Sequence, residues 1–414
     1  FQPGINEDLG ATAVWGSQQV HLSPGSQVNG VFSMWYGKGP GVDRTGDVLK
    51  HANFAGSSQF GGVLGLAGDD HACKSSTLPH QSEYAFIDAF IPVIHPATIQ
   101  DIIDLGIYGW ALSRFSGLWV GFKMISDTVD TAASVAIDLN RYKVKLPDDF
   151  LIPPGGLNLR WPDAPVDQER RMHDYKIKAV PAFVKANNLN KRIWESARAR
   201  IGFIAVGKGY LELRQALEDL GITEKEANNL GLKLFKVVVS WPLESSSILE
   251  FCEGLDEVIV VEEKRPVIES QLKELFYHLS ADKRPRIIGK TTESGEPFLP
   301  STYEFNSQKI AAALAMRLYN LSGFEVYRAK FDTILSDQAS RENFEAKLIR
   351  LPYYCSGCPH NTSTTQLPEG SRALAGIGCH YMATWIDHRT QTFTHMGGRS
   401  EEHTSELQSH SDLV

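Results

Sequence analysis

Cysteine is scarce in this 414-residue chain: there are five, an odd number at wide spacing. That count rules against a disulfide framework and fits a reducing, cytoplasmic setting. Long apolar runs are missing too. The longest, such as "FIDAFIPVI", fall well short of the ~20 residues that cross a bilayer, so neither a transmembrane helix nor a membrane partner is expected. Basic blocks and basic stripes interleaved with aromatics are absent, and the formal net charge is −8. Both facts speak against nucleic acid as a partner. No initiator Met and no apolar leader stand before "FQPGINEDLG", so no signal peptide is read. Disorder on a large scale is excluded by a composition of 42% hydrophobic and 22% charged residues.

What is present is an alternation of short apolar runs with glycine turns and helical periods. "NGVFSMWYG" and "GGVLGLAG" predict buried strands that end in Gly-rich loops. "ATIQDIIDLGIYGWALSRF" has helical spacing, and "LWVGFKMI" predicts the next strand. This order predicts a parallel α/β sheet, with functional loops at the carboxyl ends of its strands. A proline-rich crossing segment, "LPDDFLIPPGGLNLRWPDAP", precedes a second α/β unit that opens at "RIGFIAVGKGYLELRQALEDLG" and runs to "DEVIVVEEKRPVIESQLKELF". "KGYLELRQAL" reads as an ordinary strand-to-helix turn, and "VVEEKR" as a solvated charge run at a strand end. The final "RSEEHTSELQSH" breaks in composition and reads as adapter-derived translation, so residues 399–414 are set aside from the fold.

The chemistry concentrates in a few places. "YYCSGCPHN" puts Cys355 and Cys358 on one tight turn, and "GIGCHYM" adds Cys379. Soft thiolates at this spacing favour zinc or an iron–sulfur centre over redox or incidental thiols, with His360 and His380 at hand. In "WYGKGPGVDRTGD", Lys38, Asp43 and Arg44 sit in a glycine-rich loop after a strand. In "AGDDHACKSS", Asp69, Asp70 and His71 follow the next one, with Lys74 beyond. Two such loops at successive strand ends predict a pocket. Glu7 in "GINEDLG" reads, in isolation, as an acid offsetting the dipole at a helix start.

Together, "GVFSMWYGKGPGVDRTGDVLKHAN", "GDDHACKSSTLPHQSE", "YCSGCPHNTST" and "GSRALAGIGCHYMA" resemble the fused indolepyruvate ferredoxin oxidoreductases. Those enzymes belong to the thiamine-diphosphate-dependent 2-oxoacid:ferredoxin oxidoreductase superfamily. The resemblance implies a chain cut at both ends and inactive as it stands. It implies a pyrimidine-binding thiamine domain over 1–150, a linker and helical crossing over 151–196, and a transketolase C-terminal-like domain over 197–283. A mostly helical connector over 284–348 and the start of a diphosphate-binding domain over 349–398 would follow.

The same resemblance makes Glu7 the acid that contacts the aminopyrimidine ring, where a carboxyl favours the imino tautomer and so promotes proton loss from the thiazolium ring. It places Lys38, Asp43, Arg44, Asp69, Asp70 and His71 around a substrate and cofactor cleft. It makes Cys355, Cys358 and Cys379 ligands of a [4Fe–4S] cluster, and implies Mg²⁺, coenzyme A as co-substrate, a 2-oxoacid substrate, ferredoxin as acceptor and a homo-oligomer at full length. No Gly-Asp-Gly segment for Mg²⁺ and diphosphate occurs in the chain. The alternatives are a non-redox thiamine-dependent decarboxylase and a structural zinc-binding module.

Overall fold

In the computed structural model, residues 1–73, 77–342, 353–386 and 389–395 are described. Lys74 and the tail 399–414 lie outside them, as do the ends of the expected 284–348 and 349–398 segments. The chain forms two compact units, one of residues 1–71 and 81–343 and one of residues 72–80 and 344–414.

Among the described residues, the larger unit holds ten strands in two sheets. In chain order they are β1 (Phe32–Lys38), β2 (Gly62–Asp69), β3 (Val93–Ile94), β4 (Val120–Ile125), β5 (Lys191–Trp194), β6 (Ile201–Val206), β7 (Leu232–Val237), β8 (Val239–Trp241), β9 (Glu257–Val261) and β10 (Arg286–Ile288). The first sheet has the order β1-β2-β4-β3-β8 and the second β10-β9-β6-β7-β5. Pairing is parallel except at β8, which runs antiparallel to β3, and β5, which runs antiparallel to β7. The expected parallel α/β class is therefore present.

Local sequence explains the elements. Strands β6 and β9 are buried at every residue, which is why β6 and, after Glu257, β9 read as apolar runs rather than as alternation. The helix Ile99–Ser116 starts at Thr98, whose side chain accepts from Asp101 N, and stops at Gly117 in the left-handed region. Helices cover both faces of each sheet. On the first sheet, Trp35, Leu49, Phe86 and Trp119 pack in one layer, and Leu64, Leu112, Phe122 and Phe183 in the other. On the second, Leu213, Leu217, Ile310 and Leu314 face one side, and Ile248, Phe251 and Leu272 the other. Strand β8 comes directly after β7 yet joins the first sheet, so the two sheets share one continuous segment of chain.

The smaller unit carries a two-stranded parallel pair, β11 (Ala373–Ala375) and β12 (Thr390–Phe393), and the turn with Cys355 and Cys358. No helix among the described residues is long and apolar enough to cross a membrane.

Candidate functional site

Glu7 opens the helix Glu7–Gln18, which Asn6 caps by accepting from Leu9 N at 2.9 Å. Trp35 of β1 donates its indole N–H to the Glu7 carbonyl at 3.1 Å and ties that helix start to the sheet. The Glu7 side chain rests on Gly41, where an added Cβ would stand 2.6 Å from Glu7 Cγ. Gly41 belongs to the short helix Gly39–Arg44, directly after Lys38 at the end of β1. The acid therefore reaches the carboxyl edge of the sheet because no side chain blocks it.

At that edge Lys38 lies opposite Gly68 in register, and its Nζ is 4.0 Å from Asp70. Arg44 pairs with Asp8 at 3.4 Å, next to Glu7. Asp43 sits between them on the same short helix. The structure thus brings Glu7, Lys38, Asp43, Arg44 and Asp70 to one edge of one sheet. Asp69 differs. It is buried, accepts from Ser82 N at 2.8 Å and Ser82 Oγ at 2.5 Å, and lies 3.6 Å from Lys123. It holds the loop rather than facing the cleft.

His71 is also turned inward. Its Nδ1 lies 2.9 Å from Glu263 Oε2, just past the end of β9. Glu263 also accepts from Phe305 N at 3.1 Å and lies 3.8 Å from Lys208, which itself reaches Asp127 at 3.5 Å and Glu212 at 3.4 Å. Burial would push the Glu263 carboxyl up, yet His71, Lys208 and Lys123 hold it well below the usual carboxylate range. Burial opposes the charge on Lys123 as well, but Glu83 at 2.6 Å and Asp69 outweigh it and raise its pKa. Next to this network His95 is buried, with both ring nitrogens unpartnered among the described residues. Burial, then Lys123, lowers its pKa well below the ordinary value, so it is neutral.

The charge run "VVEEKR" is accordingly not solvated: Glu262, Glu263 and Lys264 are all buried. Glu262 accepts from the N–H groups of Val267, Ile268 and Glu269 and so caps the next helix. Lys208, in what reads as an ordinary turn, is an ion-pair hub. A usable signal was their position, since all follow the carboxyl ends of fully buried parallel strands, where side chains of neighbouring elements converge.

In the smaller unit, Cys358 N donates to Cys355 O at 3.1 Å around Gly357, whose φ is 75°. Cys358 Sγ lies 3.3 Å from His360 Nδ1, and the His360 ring stacks on Tyr354 at 5.1 Å. The His380 ring, one residue after Cys379, is 5.9 Å from that of His360. Burial raises the Tyr354 pKa, an effect that the Thr364 side chain partly offsets. Thiolates and imidazoles suit a thiophilic metal in chemistry. They do not close around a point: among the described residues no group of three or more His, Cys, Asp or Glu side chains has metal-binding geometry.

Comparison with known proteins bears on this arrangement. Residues 191–338 match the model of the indolepyruvate oxidoreductase domain. Over 351 residues the chain is 26% identical to indolepyruvate oxidoreductase subunit IorA of Pyrococcus abyssi, covering 82% of this chain and 50% of that one. The chain is therefore similar in sequence to the indolepyruvate oxidoreductases. With the corresponding subunit of Archaeoglobus fulgidus it shares 25% identity over 377 residues, 87% of this chain and 54% of the other. The chain thus spans about half the length of the indolepyruvate oxidoreductase subunits it matches. Among solved structures, a 2-oxoglutarate:ferredoxin oxidoreductase from Magnetococcus marinus aligns with a TM-score of 0.48 and 16% identity, over 76% of this chain and 56% of that one.

Proposed function

We propose that the chain is part of an enzyme that oxidatively decarboxylates an aryl 2-oxoacid, indolepyruvate first among them, with coenzyme A as acyl acceptor and ferredoxin as electron acceptor. The observation that carries this reading is the similarity to indolepyruvate oxidoreductase subunits across four fifths of the chain, together with the domain match over residues 191–338.

Within this reading Glu7 is the acid for a thiamine diphosphate aminopyrimidine. The Gly41 cradle supports it, because a carboxyl that must meet a flat ring edge needs an unobstructed approach. When bound, that cofactor supplies the carbanion stabilisation that decarboxylation of a 2-oxoacid requires. The chain's own groups do the rest: Glu7 holds a proton at its carboxyl, and Lys38 and Arg44, balanced by Asp70 and Asp8, offer donors along the edge where an anionic substrate or diphosphate approaches. Asp70 faces Lys38, and Asp69 beside it is held by Ser82.

Cys355, Cys358 and Cys379 are the groups we assign to a [4Fe–4S] cluster. The thiol chemistry supports that assignment, but the described geometry does not close a ligand set, so no electron-transfer step is derived through them. Cys358 beside His360 is the one contact that favours zinc instead.

The test is the full-length protein, purified without oxygen. It should reduce ferredoxin only when indolepyruvate and coenzyme A are both supplied, and should carry iron and acid-labile sulfide. Decarboxylation without reduction of any acceptor would favour a non-redox decarboxylase. Zinc in place of iron, without thiamine diphosphate binding, would favour a structural metal module.

A further inference from the structure

At the amino edge of the first sheet, the opposite end of the strands from Lys38 and Asp70, lies a cavity of about 330 Å³. His21, Ser58, Phe60, Gly156, Asn158 and Arg160 are among its lining residues. It is built from the turn before β2 and from the proline-rich crossing segment.

Its charge is one-sided. Arg160 donates Nη2 to Gly156 O and Nε to Asn158 O, but pairs with no carboxylate among the described residues. Gly155, at φ 81°, leaves room for that guanidinium, since a Cβ there would stand 2.6 Å from Nη1. Arg114 borders the same wall. It donates Nε to Gln59 O at 3.1 Å and stands 5.4 Å from the Phe60 ring, again with no carboxylate among the described residues. Behind them Lys176 is fully buried and reaches only the carbonyls of Asn53 and Phe54, at 3.4 and 3.3 Å.

Arg171 is neutralised by Asp163, the single acid that acts on Arg160. Two guanidinium groups thus stand near one cavity with no carboxylate partner among the described residues, and behind them lies the Lys176 amine, whose charge burial disfavours. His21 adds a buried Nδ1 with no partner among the described residues. A buried nitrogen such as His21 Nδ1 is costly unless something satisfies it, while Arg160 is half-buried and Arg114 exposed.

We propose that this cavity binds a small phosphomonoester, with its phosphate on Arg160 and His21 and a flat organic group against the half-exposed ring of Phe60. Arg160 offers a planar fork of donors that matches phosphate oxygens. The cavity is far larger than one phosphate, which leaves space for the organic part. None of these residues belongs to the Glu7 edge, so the site does not depend on the oxidoreductase reading.

Calorimetric titration of the full-length protein with inorganic phosphate and, separately, with adenosine monophosphate tests this and separates free phosphate from an ester. The ester should bind, and phosphate alone should bind roughly tenfold more weakly. Arg160→Gln should weaken the ester at least about tenfold while the melting temperature stays put. If that variant does not fold, Phe60→Leu serves in its place and should remove the ester's advantage over phosphate. Absence of binding by the ester up to about 10 mM, an ester no tighter than phosphate, or undiminished binding in Arg160→Gln would each overturn the proposal.

Discussion

His71, past the end of β2, and Glu263, past the end of β9, meet 2.9 Å apart with both side chains buried. Because Glu263 is held ionised, it accepts, and the imidazole carries its proton on Nδ1. The pair fastens the loop Asp69–His71, which also carries Asp70, to the second sheet. A carboxylate that follows a strand of the second sheet thus sets where an edge residue of the first can stand.

Replacing Glu263 by Gln should therefore destabilise the fold by roughly 3–5 kcal/mol, the usual cost of breaking a buried pair. The pH dependence has a definite sign. Glu263 titrates lower in the folded than in the unfolded state, so its contribution is present above about pH 4.3 and is lost as pH falls below that. Urea midpoints of both proteins should differ at pH 7 and converge in acid. A gap that is constant with pH would remove the ion pair from the explanation.

Gly207→Ala should be among the most damaging single changes in the larger unit. Gly207 has φ 53°, and any Cβ there would fall inside the van der Waals envelope of the buried His95 ring. A loss of more than about 3 kcal/mol is expected. Adding His95→Ala removes the obstacle, so the double variant should recover part of that loss. Strict additivity of the two changes would show that the ring is not the obstacle.

The sheet class was readable because β6, β9 and their helices obey local patterns that need no tertiary knowledge. The buried network was not. "VVEEKR" is locally identical to a solvated strand end, and only the approach of His71, some 190 positions away in sequence, turns Glu263 into a buried anchor. Lys123 shows the same limit. In "LWVGFKMI" it looks like the exposed residue of a strand, yet Glu83 and Asp69 make its burial tolerable. At the candidate site, Lys38 and Asp70 stand on one edge because each lies at the end of a parallel strand. Glycine spacing could not tell that Asp69 and His71 face inward, because that depends on Ser82 and Glu263. The strand swap of β8 into the first sheet was equally hidden, since a three-residue run carries no label for its partner.

Glu7→Gln should lower 2-oxoacid turnover of the full-length protein by about 10²–10⁴-fold, the range for loss of a positioned acid–base group. Gly41→Ala should act through the same point by pushing the carboxyl off its cradle. Its effect should appear chiefly as weaker thiamine diphosphate binding, read by quenching of tryptophan emission. Full activity in Glu7→Gln would remove this residue from the reaction.

Cys355→Ala, Cys358→Ala and Cys379→Ala should each cut the iron content of the anaerobically purified full-length protein by more than half if all three ligate one cluster. His360→Ala separates the metals. It should leave iron unchanged, whereas a zinc site using the Cys358–His360 contact would lose affinity by roughly 10–100-fold or more. Wild-type iron in Cys379→Ala would break the three-thiol assignment.

Lys176 offers a stability test that needs no cofactor. Burial, assisted by Arg171, lowers its pKa from 10.5 to about 7. In the unfolded chain it stays protonated to near 10.4. The unfolded state therefore binds more protons between about pH 7 and 10, and stability must rise with pH across that window. The gap corresponds to a ceiling of roughly 4–5 kcal/mol, felt in full below pH 7, where the buried ammonium is charged. Lys176→Met keeps the length and removes the charge, at the cost of two long bonds to the carbonyls of Asn53 and Phe54. The variant should be about 1–3 kcal/mol more stable than wild type at pH 6.5 and show little advantage near pH 10. Urea midpoints measured across that range check it: parallel pH profiles for the two proteins would mean that the lysine is not titrating inside the fold.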